Sequence, residues 1–355
     1  MLARLSVVTK PVFYQELRGL LMIKPNTPST HITTIMAKKK TKKIKLSTRP
    51  KMAARTTPVA ANDNISAAIN EYVPDDLRGT DRYLDIVNWN IRYFNELDPA
   101  RVRLITKIMG EINADIFVLQ EIADGAVNAV ASALNDAGAG LYKTAYGSTG
   151  GTQRVAFLYD TEWTRTKEDF TELFADEPNT LPDSNKRIFP RLPFHNVMHA
   201  FARDGNFDFH LAGVHLKAYM GDDDPGTQQR TLSAERLVKW SKQEAEDRDI
   251  IICGDFNKAP SAPEWDAFRE EEDAGRIRFG SWNKEEEGSH WYRGHRSRID
   301  LVIVSDSVEQ VAVQKEAKVI PWKRVFDSST LRNDLIKRIS DHMPVVSRFY
   351  FTDLD

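Results

Sequence analysis

Six short polar clusters punctuate the apolar runs of this sequence, and they hold most of the side chains able to do chemistry. Asn90 closes the run from Leu84, and Gln120-Glu121 follow Phe117-Val118-Leu119. His215 and Lys217 come just after Leu211-Ala212-Gly213-Val214, and Asp255 and Asn257 come just after Ile251-Ile252-Cys253-Gly254. Asp300 sits in Arg298-Ile299-Asp300-Leu301-Val302, and Asp341-His342 precede Met343-Pro344-Val345-Val346. Oxygen donors from Asp, Glu and Asn suit Mg²⁺ or Mn²⁺. The single cysteine, Cys253, excludes a thiolate zinc site and an internal disulfide framework. A carboxylate beside histidines suits activation of water and handling of a leaving group. Metal, base and neutral donors together suit attack on a phosphoryl centre, whose charge must be spread over oxygens. One charged residue at a strand end is ordinarily a cap or a solvated edge. Several such ends meeting on one rim of a sheet make a site.

The elements that would have to bring them together are readable from periodicity. Residues 84–90 and 116–120 predict buried strands, and 99–113 carry Val102, Ile105, Ile108, Met109 and Ile112 at helical spacing. A second helix over 126–135 is closed by glycines at 138 and 140. Strands are predicted at 154–159, 195–202, 207–214, 250–253, 299–304 and 345–351, with helices at 227–247 and 263–271. Hairpin-like pairs mixed with strand–helix–strand units favour a layered α/β domain with mixed sheets over a purely parallel one.

Taken in order, Asn88-Trp89-Asn90, Leu119-Gln120-Glu121, Gly213-Val214-His215-Leu216-Lys217, Gly254-Asp255-Phe256-Asn257, Arg298-Ile299-Asp300 and Ser340-Asp341-His342-Met343-Pro344 resemble a known motif series. It is that of the endonuclease/exonuclease/phosphatase superfamily, the DNase I-like metal-dependent phosphoester hydrolases. The resemblance spans about residues 84–350. It implies an α/β fold, a four-layer sandwich of two mixed β-sheets packed face to face with helices outside and the site at one rim. It also implies roles. Glu121 is expected as the main ligand of Mg²⁺ (or Mn²⁺), with Asn90 beside it and Asp341 assisting. Asp255 is expected to orient and deprotonate the attacking water, and Asn257 to hold that water or a phosphate oxygen. His342 is expected to touch the scissile phosphate, with Asp300 bonding its other ring nitrogen. His215 is expected to protonate the leaving oxygen, and Arg191 and Lys217 to contact phosphate. Other conspicuous residues read as structural: Trp89 as core support, Cys253 as an inert buried thiol, and His195, His199 and His210 as sheet-face residues. The helix opening Gln229-Arg230 reads the same way. The acidic runs 222–224, 270–273 and 285–287 read as solvated loops or helix faces.

Composition bounds the rest. The 355 residues are 41% hydrophobic and 28% charged, which excludes a collagen, a membrane bundle and a fully disordered chain. No apolar run approaches the ~20 residues of a membrane span. The net charge of -2 averages two unlike parts: residues 1–60 hold 13 Lys+Arg and one acid, Glu16, while 61–355 hold 36 basic and 50 acidic residues. Residues 1–80 therefore read as a basic, disordered leader ahead of a catalytic domain over 81–355. A nucleic-acid tether, a targeting peptide and an upstream extension ending before Met36 are the alternatives. Two basic clusters, Arg293/Arg296/Arg298 and Lys323/Arg324/Arg332/Lys337/Arg338, are candidates to line a polyphosphate path. The stretches after Asn257 and before Asp300 depart from the inositol-polyphosphate phosphatase pattern. His215 departs from the exonuclease III-like one, and no long apolar hairpin supports a sphingomyelinase-like one. The expectation is a metal-dependent endonuclease acting on nucleic acid, monomeric, cytoplasmic and without an integral membrane segment. A small-molecule or lipid-headgroup phosphoesterase on the same site is the alternative, and a non-catalytic nucleic-acid-binding protein is a second.

Overall fold

The computed structural model describes residues 73–221, 224–243, 248–321 and 329–354. In chain order the elements are β1 (Leu84–Phe94), α1 (Pro99–Ile112), β2 (Ile116–Ile122), α2 (Asn128–Asp136), β3 (Tyr142–Tyr146), β4 (Arg154–Asp160) and β5 (Thr164–Thr166). Then come β6 (Thr171–Glu172), β7 (Phe194–Ala202), β8 (Gly205–His215), α3 (Thr227–Gln243), β9 (Ile250–Asp255), α4 (Asp266–Asp273) and β10 (Ile277–Arg278). The chain ends with β11 (His290–Tyr292), β12 (His295–Ser297), β13 (Asp300–Ser305), α5 (Asp306–Gln310), β14 (Lys318–Val319), α6 (Ser329–Arg338) and β15 (Val345–Phe349).

Two mixed sheets follow from these strands. One runs β14-β15-β1-β2-β4-β3 and the other β10-β13-β9-β8-β7-β5. Period-2 alternation decides what each strand gives to which layer. On β9, Ile251 and Cys253 join the core between the sheets, while Ile250 and Ile252 join the core under α3 and α4. On β13, Val302 and Val304 face inward and Leu301 and Ile303 outward. Phe157 of β4 meets Phe194 of β7 edge to face at 5.4 Å, across the two sheets. Leu237, Trp240 and Phe268 cover the outside of the second sheet, and Ile105, Ile108, Met109, Val130 and Leu134 of α1 and α2 cover the first. The result is the expected four-layer sandwich.

Local signals explain the helix nearest the site. Asp98 caps α1 by accepting from the N–H groups of Ala100 (2.9 Å) and Arg101 (3.1 Å), Pro99 opens it, and Asn113 ends it in the left-handed region. The packed body begins earlier than Asp81: Val73 and Leu77 are buried in the main core. The expected leader otherwise lies outside the described residues. β3, β5, β6, the β11–β12 hairpin and α6 carry no strong periodicity and were not anticipated. No helix among the described residues is long and apolar enough to cross a membrane.

Candidate active site

Register delivers half of the site. His215 pairs with Asp255 across the parallel β8–β9 ladder, and Asp255 pairs with Asp300 across the antiparallel β9–β13 ladder. All three occupy inward-facing positions, so their side chains lie abreast at one rim of the second sheet. Gly254 is required just before Asp255, because a Cβ there would sit 2.0 Å from the Val214 carbonyl oxygen. The first sheet supplies Asn90 and Gln120, paired across β1–β2, just before the register of both strands breaks. Beyond the break Glu121 has φ +61°, and Arg92 and Tyr93 have φ +42° and +47°. Ser340 ties the third element in: its hydroxyl donates to the Asn90 carbonyl (2.7 Å) and accepts from the His342 N–H (3.0 Å).

Asp255 is the hub. Its Oδ2 accepts from Asn90 Nδ2 (2.9 Å), its Oδ1 accepts from the Asn257 N–H (2.9 Å), and Nε2 of His215 and His342 lie 3.7 and 3.9 Å from Oδ2. Burial pushes its pKa up to about 7, with Asp300 adding to the rise and His342 and the two hydrogen bonds opposing it. His342 Nδ1 lies 3.1 and 2.9 Å from the two oxygens of buried Asp300, whose Oδ2 also accepts from Ser289 Oγ (2.7 Å). Burial alone would lower the pKa of His342. The carboxylates of Asp300 and Asp255 overcome it and raise the value to about 10, so this imidazole carries a proton at neutral pH. The indole N–H of buried Trp89 donates to the His342 carbonyl (3.1 Å), so Trp89 supports both core and site.

His215 is the opposite case. It is buried, its Nδ1 has no hydrogen-bond partner, and burial together with the cations of Arg191 and His342 holds its pKa well below the usual histidine value. That environment disfavours the protonated form on which the expected general-acid role would draw. Asn90 joins the two edges. Its Nδ2 donates to Asp255 and Glu121 (3.3 Å), and its Oδ1 accepts from the Arg92 N–H (2.8 Å). The Arg92 contact fixes the amide orientation, with Nδ2 donating to the two carboxylates.

Glu121 faces the cleft and accepts from the N–H of Tyr93 (3.0 Å) and from Gln153 Nε2 (3.3 Å). Gln153 Oε1 in turn accepts from Arg191, which lines the same cleft. Lys217 and Asn257 line the same cleft, whose volume is about 1440 Å³. Asp341 lies beside Arg92 (3.4 Å) and His290 (3.9 Å), and its Oδ1 is buried without a partner. That orphaned oxygen and a Glu121 carboxylate met by neutral donors fit a hard divalent cation. His290 lies beside Asp341, its Nε2 3.9 Å from Asp341 Oδ2. The group of Asp255, Asp300 and His342 is the hydrogen-bonded chain described above.

Several site residues gave no sequence signal: His290, Gln153, Ser289 and Arg101. Arg101 donates to the carbonyls of Ile91, Arg92 (2.6 Å), Tyr93 (3.1 Å) and Ile339 (2.8 Å), which holds the irregular end of β1 in place. The basic clusters are only partly brought to the site: Arg293 lines the cleft, and Arg296 and Arg332 lie over the Trp291 ring, 5.7 and 4.6 Å from its centre. Arg298 is fully buried, donating to Asn283 Oδ1 (3.2 Å) and the Ala317 carbonyl (3.1 Å), and cannot line a substrate path. Arg338 pairs with Asp334 (3.5 Å), and Lys323 and Arg324 lie outside the described residues. The acidic runs are less idle than expected. Asp224 and Glu264 pair with buried Arg230, and Glu272 accepts from the N–H groups of Phe279, Gly280 and Ser281. Asp222 and Asp223 lie outside the described residues.

A two-sheet α/β sandwich with carboxylates and imidazoles converging at one rim is the architecture of a phosphoester hydrolase. The chain belongs to the Endonuclease/Exonuclease/phosphatase family, whose model matches residues 87–342. Among solved structures it is similar to a family protein from Bacteroides thetaiotaomicron (21% identity, 77% of this chain and 98% of that one, TM-score 0.55). It is also similar to one from Bacteroides vulgatus (14%, 76% and 99%, TM-score 0.53). A third is the human Nocturnin catalytic domain with bound sulfate anion (15%, 76% and 95%, TM-score 0.51). At these identities the likeness is one of fold. No curated protein sequence matches the chain significantly.

Proposed function

We propose that this protein is a divalent-metal-dependent endonuclease that hydrolyses nucleic-acid phosphodiester bonds. The observation that carries the reading is the juxtaposition of a buried carboxylate that can take a proton, Asp255, with an imidazolium that already holds one, His342. In-line hydrolysis is accelerated by each. Asp255, held by Asn90 and Asn257, orients the attacking water and accepts its proton. His342, turned by Asp300, presents Nε2–H to a phosphate oxygen and is the group with a proton to give to the leaving oxygen. Arg191 and Lys217 place positive charge along the phosphate. Neutral His215 enters as a hydrogen-bonding group beside Asp255. Glu121 and Asp341, with His290 at hand, are the residues that would hold the cation. Bound Mg²⁺ or Mn²⁺ would polarise the phosphoryl group.

A polymeric substrate is favoured over a single phosphomonoester by a recess of about 450 Å³ that shares Arg187, Pro190, Lys217 and Met220 with the main cleft. Lys186, Arg187 and Lys217 line it, and none has a carboxylate partner among the described residues. A phosphate next to the scissile one would fit there; a lone phosphomonoester would leave these charges unused. The net charge of +12 in residues 1–60 would add a salt-sensitive, sequence-independent tether.

Circular single-stranded and plasmid DNA, each with Mg²⁺ and with EDTA, test the reading beside a panel of phosphomonoesters and lipid headgroups. Metal-dependent scission of either circle is expected. Turnover of only the small esters overturns it.

A further inference from the structure

Eight large hydrophobic side chains are well exposed among the described residues, and four of them, Tyr93, Tyr219, Met220 and Tyr292, border the active-site cleft. Scattered exposed apolar groups need no explanation; half of them around one polar cleft do. Two of the rings are backed by cations. Lys258 Nζ lies 3.7 Å from the centre of the Tyr219 ring, and the Arg293 guanidinium lies 5.1 Å from the centre of Tyr292. Tyr292, 56% exposed, also continues a run of rings that starts at the reactive centre. His342 lies 4.5 Å from His290, and His290 lies nearly parallel to Tyr292 at 6.2 Å, with 13° between the planes. The rings belong to separate elements: Tyr292 to the β11–β12 hairpin and Tyr219 to the loop after β8.

From this we propose that Tyr219 and Tyr292 are stacking platforms for unpaired nucleobases flanking the scissile phosphate, so that the substrate is single-stranded nucleic acid rather than duplex. The inference rests on the endonuclease reading above. Stacking needs the flat face of a base, and in a duplex that face is covered by the next base pair. A duplex offers the rim only backbone charge and base edges. The cations beside the rings then serve twice, holding the rings and neutralising the adjacent phosphates. An anionic membrane surface is the competing occupant of a rim with exposed Tyr and Met. It is disfavoured because both tyrosines line the wall of a cleft, which a flat surface does not enter.

The test is fluorescence anisotropy on the full chain in EDTA, with a labelled single strand, its duplex and a sugar-phosphate strand of the same length lacking bases. The basic leader contributes alike to every variant, so differences between variants report the rim. The single strand is expected to bind about tenfold or more tightly than the other two. Tyr219→Ala/Tyr292→Ala should remove that preference, and Tyr219→Phe/Tyr292→Phe should keep it. Equal binding of all three probes, or a preference that survives the alanine variant, overturns the platforms. So does tyrosine-dependent binding to phosphatidylserine vesicles in place of the strand. If DNA circles are cut but binding ignores the bases, the platforms fail and the endonuclease reading stands. If no circle is cut while the tyrosine-dependent preference persists, the endonuclease reading fails and the platforms stand.

Discussion

The two edges that meet at the cleft are built on different principles. The edge of the second sheet is regular: His215, Asp255 and Asp300 sit on adjacent strands, in register and on one face, with almost no exposure. The edge of the first sheet is irregular. Arg92, Tyr93 and Glu121 all have positive φ, a conformation costing a non-glycine residue on the order of 1–3 kcal/mol. It is held by cross-ties from Arg101, Asn90 and Ser340. The difference matches the tasks. Proton transfer needs atoms fixed to fractions of an ångström, which strands inside a packed sheet provide. Glu121 must instead be turned out of its strand toward the cleft, and a break in the register does that.

The largest expected effects come from the regular edge. Asp255→Asn should lower hydrolysis by about 10²–10⁴-fold, because the amide cannot accept the water's proton. It should leave thermal stability unchanged or raised, because a buried carboxylate is relieved of its desolvation. Activity within tenfold of the parent would break the assignment of Asp255 as base. His342→Gln should cost about as much. The pH profile of kcat/KM sharpens the same point. Asp255 must be ionised, so the rate rises as pH passes about 7. His342 must be protonated, so the rate falls as pH approaches about 10. Asp300→Asn removes the charge that most raises His342 and should pull the alkaline limb to lower pH; because Asp300 also adds to the rise of Asp255, the acid limb should move to lower pH with it. An unmoved alkaline limb would detach Asp300 from His342.

At the irregular edge the expected effect is smaller and mixed. Arg101→Met would strand several carbonyls at the end of β1, lowering stability by about 1–3 kcal/mol. Activity should fall by roughly tenfold through misplacement of Glu121. The readouts are a melting curve and a Mg²⁺ titration of activity, with half-maximal rate needing more Mg²⁺ in the variant. A variant that melts and titrates like the parent would show that the irregular edge holds itself without Arg101.

The same contrast explains what the amino-acid sequence disclosed. The regular edge was legible: strand, polar end and strand parity are local patterns, and His215, Asp255 and Asp300 came with them. The six clusters in order pointed to the four-layer fold and to the rim. The irregular edge was not legible beyond Asn90 and Glu121 themselves. Nothing in Arg92-Tyr93 announces positive φ, and Arg101 sits in a helix whose pattern explains it fully as a surface residue. Gln153 and His290 act through side chains brought from β4's approach loop and from a three-residue strand, too short to show a period. Arg298 misled for the converse reason. Its neighbours Arg293 and Arg296 are exposed, and only the fold reveals that Arg298 is spent on Asn283 and Ala317.

The smallest effect is expected from a pair that tests whether the regular edge is special or merely rigid. β7 and β8 carry a second histidine couple, His195 and His210, on the outward face under Trp240. Their rings stack with His195 Nε2 2.9 Å from His210 Nδ1, and neither lines the cleft. Burial, reinforced by His210, lowers the pKa of His195 to about 4. The unfolded chain binds that proton near the ordinary value of ~6.5, so stability from the pair is complete above that pH. It is lost as pH falls toward 4, by a few kcal/mol at most at ~1.4 kcal/mol per pH unit between the two values. His195→Phe keeps a ring against Trp240 and abolishes the titration. It should make the dependence of melting temperature on pH between 6.5 and 4 shallower, His215 and His290 keeping their share of the slope, and leave hydrolysis at neutral pH within about twofold. A shallower profile with activity lost would mean that rigidity along β7 and β8 reaches the site. An unchanged acid slope would mean that His195 is not the group that titrates.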